Sequence, residues 1–210
     1  MKLLATTASQ YLRMNREEFM SAMHPYFSEG EMGQIEAAYF FSKYAHRGQT
    51  RESGIRYFEH PRAVAWILFD ELHIVDWQII AVALLHDIIE DSFIMKVQRL
   101  EINFGKTVAM DVKYLSKSKE LSDIKYWQRF YIVNSWRAVV CKLADRLHNL
   151  RTLSVCSEEK QLRKISETEQ FVFPLFELAR QSAPRRYKDA VLLLCDLILA
   201  EIQELKLNLR

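Results

Sequence analysis

The chain has 210 residues, half of them hydrophobic, which is enough material for one domain with a single sizeable core. It contains only five glycines and four prolines, and this scarcity of turn residues argues against a many-stranded sandwich or barrel. The 29 lysines and arginines nearly balance the 27 acids, so the formal net charge of +2 offers no broad cationic field to a nucleic acid or an anionic membrane.

The cysteines and the apolar runs favour a soluble protein of a reducing compartment. Cys141, Cys156 and Cys195 are odd in number and far apart, which argues against a disulfide framework or a thiolate zinc site. The apolar stretch at the N-terminus is too short for a secretory signal. The longest apolar run, residues 79–85, is far shorter than the roughly 18 residues of a membrane span. We therefore expect a cytoplasmic protein without a membrane partner.

Helical periodicity dominates the chain, with apolar residues recurring at steps of three and four. Pro61 suits the first turn of its helix, Asp76 can cap the next one, and Pro174 predicts a kink. We expect an all-α bundle of about eight to ten helices, with an N-terminal helical extension (1–30), a main domain (31–185) and a C-terminal helix packed on it (186–210). The predicted helices cover residues 32–46, 62–72, 77–90, 95–103, 106–115, 124–153, 158–181 and 185–207.

The predicted helix over residues 77–90 is apolar around almost its whole circumference and ends in a cluster of ionisable residues. On a continuous helix, His86 would lie over Glu90, and Asp87 over Asp91. Neighbouring carboxylates in a partly dry place repel one another, and a metal ion would compensate them. The alternative is a solvated helix end, which is weakened because acids are disfavoured near a helix C-terminus.

A second cluster lies in the string KLADRLHNLRT, residues 142–152. Asp145 and Asn149 are four residues apart and share one helical face, so a carboxylate and an amide can project together into a site. An ordinary polar pair on the surface is the alternative, and the pair alone favours it.

The third cluster is the loop between Gly48 and Gly54, flanked by His46 before it and His60 after it. A lone histidine before a helix is more often a capping or core residue than a ligand. Here, a partly basic loop bracketed by glycines leads to a histidine at a helix start, which suits contacts to phosphate or to a metal.

The order of these clusters resembles the ligand set of the HD phosphohydrolases, which consists of a histidine, a distant His-Asp pair and a later aspartate. The strings AHRGQTRESG, YFEHP, LLHDIIEDS and KLADRLHNLRT more narrowly resemble the hydrolase domain of the bifunctional Rel/SpoT enzymes of the stringent response, which hydrolyses ppGpp and pppGpp. Residues 163–176 resemble the helix that follows, so the resemblance covers about residues 32–180. Those enzymes continue into synthetase and regulatory domains, and we expect this chain to be a stand-alone small alarmone hydrolase.

The resemblance implies that residues 31–185 form an HD-type metal-dependent hydrolase domain, a phosphoric diester hydrolase that releases pyrophosphate from the 3′ position of (p)ppGpp. Two imidazoles and two carboxylates suit an octahedral divalent ion, and by ligand type Mn²⁺ is favoured over Mg²⁺, with zinc and iron left open. We expect one Mn²⁺ per chain. The implied ligands are His60, His86, Asp87 and Asp145.

The resemblance also implies roles for residues around the metal. Glu90 and Asp91 match the acids that orient or deprotonate the attacking water. His46 is expected to support the site without binding the ion. The connector lysines Lys117 and Lys119 are further candidates for neutralising phosphates. The expected substrate-binding residues are Arg51, Ser53, Asn149, Thr152 and Lys142.

One departure from the family concerns the loop, where Arg-Lys-Ser-Gly is usual and this chain has Arg51-Glu52-Ser53-Gly54. An anion beside the nucleotide pocket could cost about 1 kcal/mol or more at an intermediate dielectric. The runner-up substrates are therefore an adenosine alarmone such as ppApp, or NADPH through removal of its 2′-phosphate.

A catalytically inactive HD domain that senses nucleotide is a third alternative, disfavoured because the ligands and the acid pair are intact. A nucleotide is the expected partner, nucleic acid is not, and a homodimer is left open.

Overall fold

Helices account for most of the structure. The computed structural model describes residues 14–91, 96–117, 121–133 and 135–209. Within these ranges the extended pairing is confined to an isolated bridge between Thr50 and Arg56, so the predicted all-α class is confirmed. None of the helices in the described part of the chain is both long enough and apolar enough to cross a membrane. The chain divides into two compact units, one ending at Ser116 and the other beginning at Lys117.

The first unit carries the predicted loop and the apolar helix. Its second helix begins at a capping box formed by Ser28 and Glu31, which explains why it starts before the predicted residue 32. Gly105, at φ +80°, bends the last helix of this unit. The two helices predicted separately over residues 95–103 and 106–115 lie on either side of this bend. The helices of this unit are α1 (Arg16–Met23), α2 (Glu29–Ala45), α3 (Glu59–Trp66), α4 (Trp77–Leu85), α5 (Ile88–Asp91) and α6 (Val97–Leu115).

Helix α4 is the centre of the first unit and packs against α2, α3 and α6. Asp76 caps it as predicted, because its Oδ1 accepts a hydrogen bond from the amide of Ile79 at 3.1 Å. Every side chain from Ile79 to Leu85 is fully buried, and each large one contributes about 1.5–3 kcal/mol by burial. This anchoring fixes the position of the residues that follow Leu85.

The second unit is built around α8, which packs against α10 and α11. The single helix predicted over residues 124–153 is wrong, because Ser135 caps a new helix by accepting from the amide of Ala138. The predicted helix over 158–181 is interrupted by a π-helical turn, Thr168–Val172, with Pro174 in the first turn of the helix that follows. The helices are α7 (Asp123–Val133), α8 (Trp136–Arg151), α9 (Glu158–Glu167), α10 (Phe173–Ser182) and α11 (Lys188–Asn208).

Candidate metal centre

The end of α4 differs from the uninterrupted helix predicted over residues 77–90. The helix stops at Leu85, a turn follows at 86–87, and the short α5 begins at Ile88. Nδ1 of His86 donates to the carbonyl oxygen of Ala83 at 2.7 Å. That carbonyl would accept the amide of Asp87 in a continuing helix, so the imidazole competes with helix propagation. The predicted stacking of His86 over Glu90 on one continuous helix is therefore wrong.

The histidines and Asp87 of the first unit converge on one point. Nε2 of His86 lies 3.1 Å from Oδ2 of Asp87, and Nε2 of His60 lies 3.7 Å from the same oxygen. The two rings meet nearly edge to face, with centroids 5.1 Å apart, and both histidines are only 2% exposed. Three atoms capable of binding a metal thus face one another in a place largely shielded from water.

This convergence fits a divalent cation. Because Nδ1 of His86 donates to a carbonyl, Nε2 of the neutral ring carries a lone pair directed at a carboxylate oxygen, and the two repel unless a proton or a cation lies between them. An octahedral ion with ligands at about 2.1 Å holds adjacent ligands about 3 Å apart. The observed Nε2 to Oδ2 distance of 3.1 Å matches that spacing.

Tyr57, which was not among the predicted site residues, supports this group. Its hydroxyl donates to Oδ2 of Asp87 at 2.9 Å. Its ring stacks on His46, with centroids 4.7 Å apart and planes inclined by 25°. His46 is 3% exposed, and its Nδ1 lies 2.8 Å from Oε1 of Gln49. The YFEHP string places Tyr57 three residues before His60, but the direction of its hydroxyl is a tertiary property.

The loop before Tyr57 is closed by backbone hydrogen bonds. The amide of Arg51 donates to Ile55, and the amide of Gly54 donates to Arg51. Gly48 and Gly54 have φ near +80°, a left-handed conformation that glycine adopts without strain. The guanidinium of Arg51 lies 5.9 Å from the centroid of the Tyr57 ring, and Ser53 is exposed at the tip of the loop.

The predicted catalytic acids follow the metal-binding turn. Glu90 is exposed on α5, and its amide donates to the carbonyl oxygen of Asp87 at 3.1 Å. The side chain of Asp91 and the whole of Lys119 lie outside the described residues. Lys117, in the second unit, forms an ion pair with Asp123.

In the second unit, Asp145 lies on α8 and is 5% exposed. Its Oδ2 accepts from Nζ of Lys142 at 2.8 Å, and its Oδ1 accepts from Nδ2 of Asn149 at 2.6 Å. The predicted sharing of a helical face by Asp145 and Asn149 is thus present as a direct hydrogen bond. Thr152 ends the helix, where its hydroxyl donates to the carbonyl oxygen of His148 at 3.0 Å.

Lys142 is held by aromatic rings as well as by Asp145. Its ammonium lies 5.6 Å from the ring centroid of Tyr126 and 5.8 Å from that of Trp127. Burial lowers the pKa of the lysine, but the charges of Asp145 and Tyr126 and the hydrogen bond to Asp145 together raise it by more, and the net shift is upward. Lys142 therefore remains a cation fixed on Asp145.

His60, His86 and Asp145 are buried, and each offers an atom that could hold a metal ion. The two histidines belong to the first unit, together with Asp87, and Asp145 belongs to the second. The donors are nitrogen and oxygen, without thiolate, which is a set that suits Mn²⁺, iron or zinc.

Comparisons with known proteins agree with this chemistry. Residues 38–180 match the family model described as HD domain. The bifunctional (p)ppGpp synthase/hydrolase SpoT of Escherichia coli K12 is 37% identical over 168 residues, covering 76% of this chain and 24% of that protein. The GTP pyrophosphokinase rsh of Brucella melitensis biotype 1 is 37% identical over 171 residues, covering 77% of this chain and 22% of that protein.

A solved structure described as "A metazoan ortholog of SpoT hydrolyzes ppGpp and plays a role in starvation responses" is also similar. Its TM-score is 0.63 at 26% identity, covering 80% of this chain and 94% of that chain. The chain spans about a quarter of the length of the curated relatives it matches. The family model matches most of the chain, and the chain therefore belongs to the HD domain family.

Proposed function

We propose that the chain is a Mn²⁺-dependent hydrolase that removes the 3′-pyrophosphate of ppGpp and pppGpp, leaving GDP or GTP. The observation that carries this proposal is the convergence of His60 and His86 on Oδ2 of Asp87. It is supported by similarity to proteins such as the guanosine-3′,5′-bis(diphosphate) 3′-pyrophosphohydrolase of Escherichia coli O157:H7, at 37% identity. In the cell, this activity lowers alarmone levels.

The proposed metal ligands are His60, His86, Asp87 and Asp145. When bound, a divalent ion in such a site polarises a phosphoryl oxygen and makes water easier to deprotonate. His86 is held in the tautomer that leaves Nε2 for the ion, because its Nδ1 donates to Ala83. Both carboxylates are oriented by neighbouring donors, Asp87 by Tyr57 and Asp145 by Asn149.

Glu90 is the proposed general base, with Asp91 as its companion. Glu90 is exposed on the turn beyond the metal ligands, where a carboxylate can accept a proton from water. Glu90 takes a proton from the attacking water as the water oxygen bonds to the phosphorus attached to the ribose 3′ oxygen. The bond between that phosphorus and the 3′ oxygen breaks, the 3′ oxygen takes up a proton to become the 3′-hydroxyl of GDP or GTP, and pyrophosphate is released.

The proposed substrate-binding residues are Arg51, Ser53, Asn149, Thr152 and Lys142. Arg51 and Ser53 lie in the glycine-bracketed loop, where a guanidinium can bind phosphate in a bidentate manner. Asn149 and Thr152 lie at the end of α8 and are proposed to contact the ribose or base. Lys142 is proposed to contact phosphate through the N–H donors of its ammonium that do not bond to Asp145.

The three cysteines are free thiols, which is consistent with a reducing cytoplasm as the place of the reaction. The proposed partner is the nucleotide substrate, without nucleic acid. A homodimer is an additional proposal, which sedimentation of the purified protein tests directly.

The central experiment measures pyrophosphate released from ppGpp by the purified chain with Mn²⁺ supplied. We expect turnover by the wild type and by the control Asp189→Ala, an exposed residue of α11. Asp87→Ala and Asp145→Ala should each lose at least about 100-fold in activity, because each removes a charged ligand. Robust turnover by either variant would refute the metal assignment.

A second candidate substrate class rests on Glu52, an exposed acid in the loop that carries Arg51. Its charge disfavours a nearby phosphate, which favours NADPH, with its single 2′-phosphate, over ppGpp. An adenosine alarmone such as ppApp carries the same phosphates as ppGpp and tests the choice of base. Turnover of ppGpp, ppApp and NADPH should be compared side by side for the wild type and Glu52→Lys. Preference of the wild type for ppApp or NADPH, shifted towards ppGpp by Glu52→Lys, would support the second candidate.

A further inference from the structure

Tyr57 lies where the glycine-bracketed loop meets the metal-binding histidines. Its hydroxyl donates to Oδ2 of Asp87 at 2.9 Å. The same oxygen faces Nε2 of His86 at 3.1 Å and Nε2 of His60 at 3.7 Å. The hydroxyl therefore holds the one carboxylate oxygen towards which both imidazoles are directed.

The ring that carries this hydroxyl is fixed on several sides. One face stacks on His46, and the edge of His60 approaches at a centroid distance of 6.2 Å with planes 85° apart. The main chain is fixed as well, because the amide of Tyr57 donates to Gln49 at 2.9 Å and its carbonyl accepts from His60 at 2.9 Å. A donor with so few alternative positions is preorganised for Asp87.

We infer that Tyr57 is a positioning residue for Asp87 and that its hydroxyl strengthens binding of a divalent cation by the first unit. The inference rests on the proposed function in one respect, namely that Asp87 is a metal ligand. Groups that hydrogen-bond to metal ligands fix ligand geometry, and their loss typically costs about 10–100-fold in metal affinity. Tyr57 acts through Asp87 and has no assigned contact with the nucleotide.

The conservative variant Tyr57→Phe separates positioning from packing. Phenylalanine retains the ring that stacks on His46 and the backbone hydrogen bonds, and it removes only the donor to Asp87. A purely structural tyrosine would therefore show no change in metal affinity on this substitution. Tyr44→Phe is the matched control, since it deletes the same atom from a tyrosine of α2 that is 60% exposed.

The experiment titrates metal-free protein with Mn²⁺ and follows the free ion by electron paramagnetic resonance. We expect the Kd for Mn²⁺ to rise by about 10–100-fold in Tyr57→Phe and to stay unchanged in Tyr44→Phe. The thermal unfolding midpoint of metal-free Tyr57→Phe should stay close to that of the wild type. Hydrolysis of ppGpp by Tyr57→Phe should recover towards the wild-type kcat as Mn²⁺ is raised to saturation.

Equal Mn²⁺ affinities for the wild type and Tyr57→Phe would overturn the inference. So would a metal-free Tyr57→Phe chain that fails to fold, because the hydroxyl would then be needed for the structure itself. Failure of the proposed function gives a different result, in which the wild type binds Mn²⁺ but releases no pyrophosphate from ppGpp. In that case the comparison of Mn²⁺ affinities still decides the role of Tyr57.

Discussion

Replacing Lys142 by methionine removes the ammonium that donates to Oδ2 of Asp145 and keeps an unbranched apolar chain in its place. The side chain of Lys142 is 15% exposed and that of Asp145 is 7% exposed, so the pair is largely shielded from water. Removing one partner of a buried ion pair costs about 3–5 kcal/mol. Asn149 still satisfies Oδ1 of Asp145, and we therefore expect about 3 kcal/mol, at the lower end of that range.

Mn²⁺ should restore part of this loss if Asp145 is a metal ligand. In the wild type the ammonium and the ion compete for one carboxylate, whereas in Lys142→Met the ion supplies the missing positive charge. A ligand present at 100 times its Kd stabilises the folded state by about 2.7 kcal/mol. The added stability should be larger in Lys142→Met than in the wild type at the same Mn²⁺ concentration.

The assay is urea unfolding of both proteins with and without Mn²⁺, with Lys188→Met as the control at an exposed position of α11. The control should behave as the wild type does. A loss below about 1 kcal/mol in Lys142→Met would show that the buried pair is weak. An equal gain from Mn²⁺ in Lys142→Met and the wild type would refute competition at Asp145.

Three further predictions concern Glu167, Leu84 and Asp87. Burial raises the pKa of Glu167, but the charges of Arg146 and Lys164 and their hydrogen bonds to the carboxylate lower it by more, and the pKa falls to about 2. The stabilisation by Glu167 is therefore present above pH 4.5 and lost as the pH falls towards 2. Glu167→Gln should remove this dependence of the unfolding free energy on pH, which amounts to at most about 3 kcal/mol over that window, as measured by urea unfolding. Leu84→Ala should destabilise by about 2–5 kcal/mol in the same assay, and the exposed Leu207→Ala by less than about 0.5. Mn²⁺ should raise the thermal midpoint of metal-free protein, and Asp87→Asn should abolish that rise in calorimetry.

The helix type and most of the helix ends could be predicted because they depend on local chemistry. Asp76 caps α4 through its own side chain, and Gly105 bends α6 through its own backbone. The break after Leu85 could not be predicted in this way. The apolar pattern resumes at Ile88 and Ile89, and the interruption depends on a side-chain hydrogen bond from His86 to Ala83 that competes with the helix.

Some properties of the candidate site could likewise be predicted from the sequence, and others could not. The order of His60, His86, Asp87 and Asp145 along the chain is a sequence property, and it was sufficient to indicate the family. Tyr57 was missed because its significance lies in where its hydroxyl points, across 30 residues of sequence to Asp87. The ion pair of Lys142 was also missed, because a lysine three residues from an aspartate on a helix is usually a solvated pair of little energetic consequence.

The negative charges of Asp87 in the first unit and Asp145 in the second are neutralised by different partners. This difference predicts which carboxylate contributes more to metal binding. Asp145 already has a protonated lysine on one oxygen and an amide on the other, so its charge is largely neutralised before any ion arrives. Asp87 accepts from the neutral phenol of Tyr57 and faces the imidazoles of His60 and His86, which can share an ion with it. A cation therefore gains more electrostatic energy at Asp87 than at Asp145. We expect Asp87→Asn to weaken Mn²⁺ binding more than Asp145→Asn does, and the reverse order in a Mn²⁺ titration would contradict this reasoning.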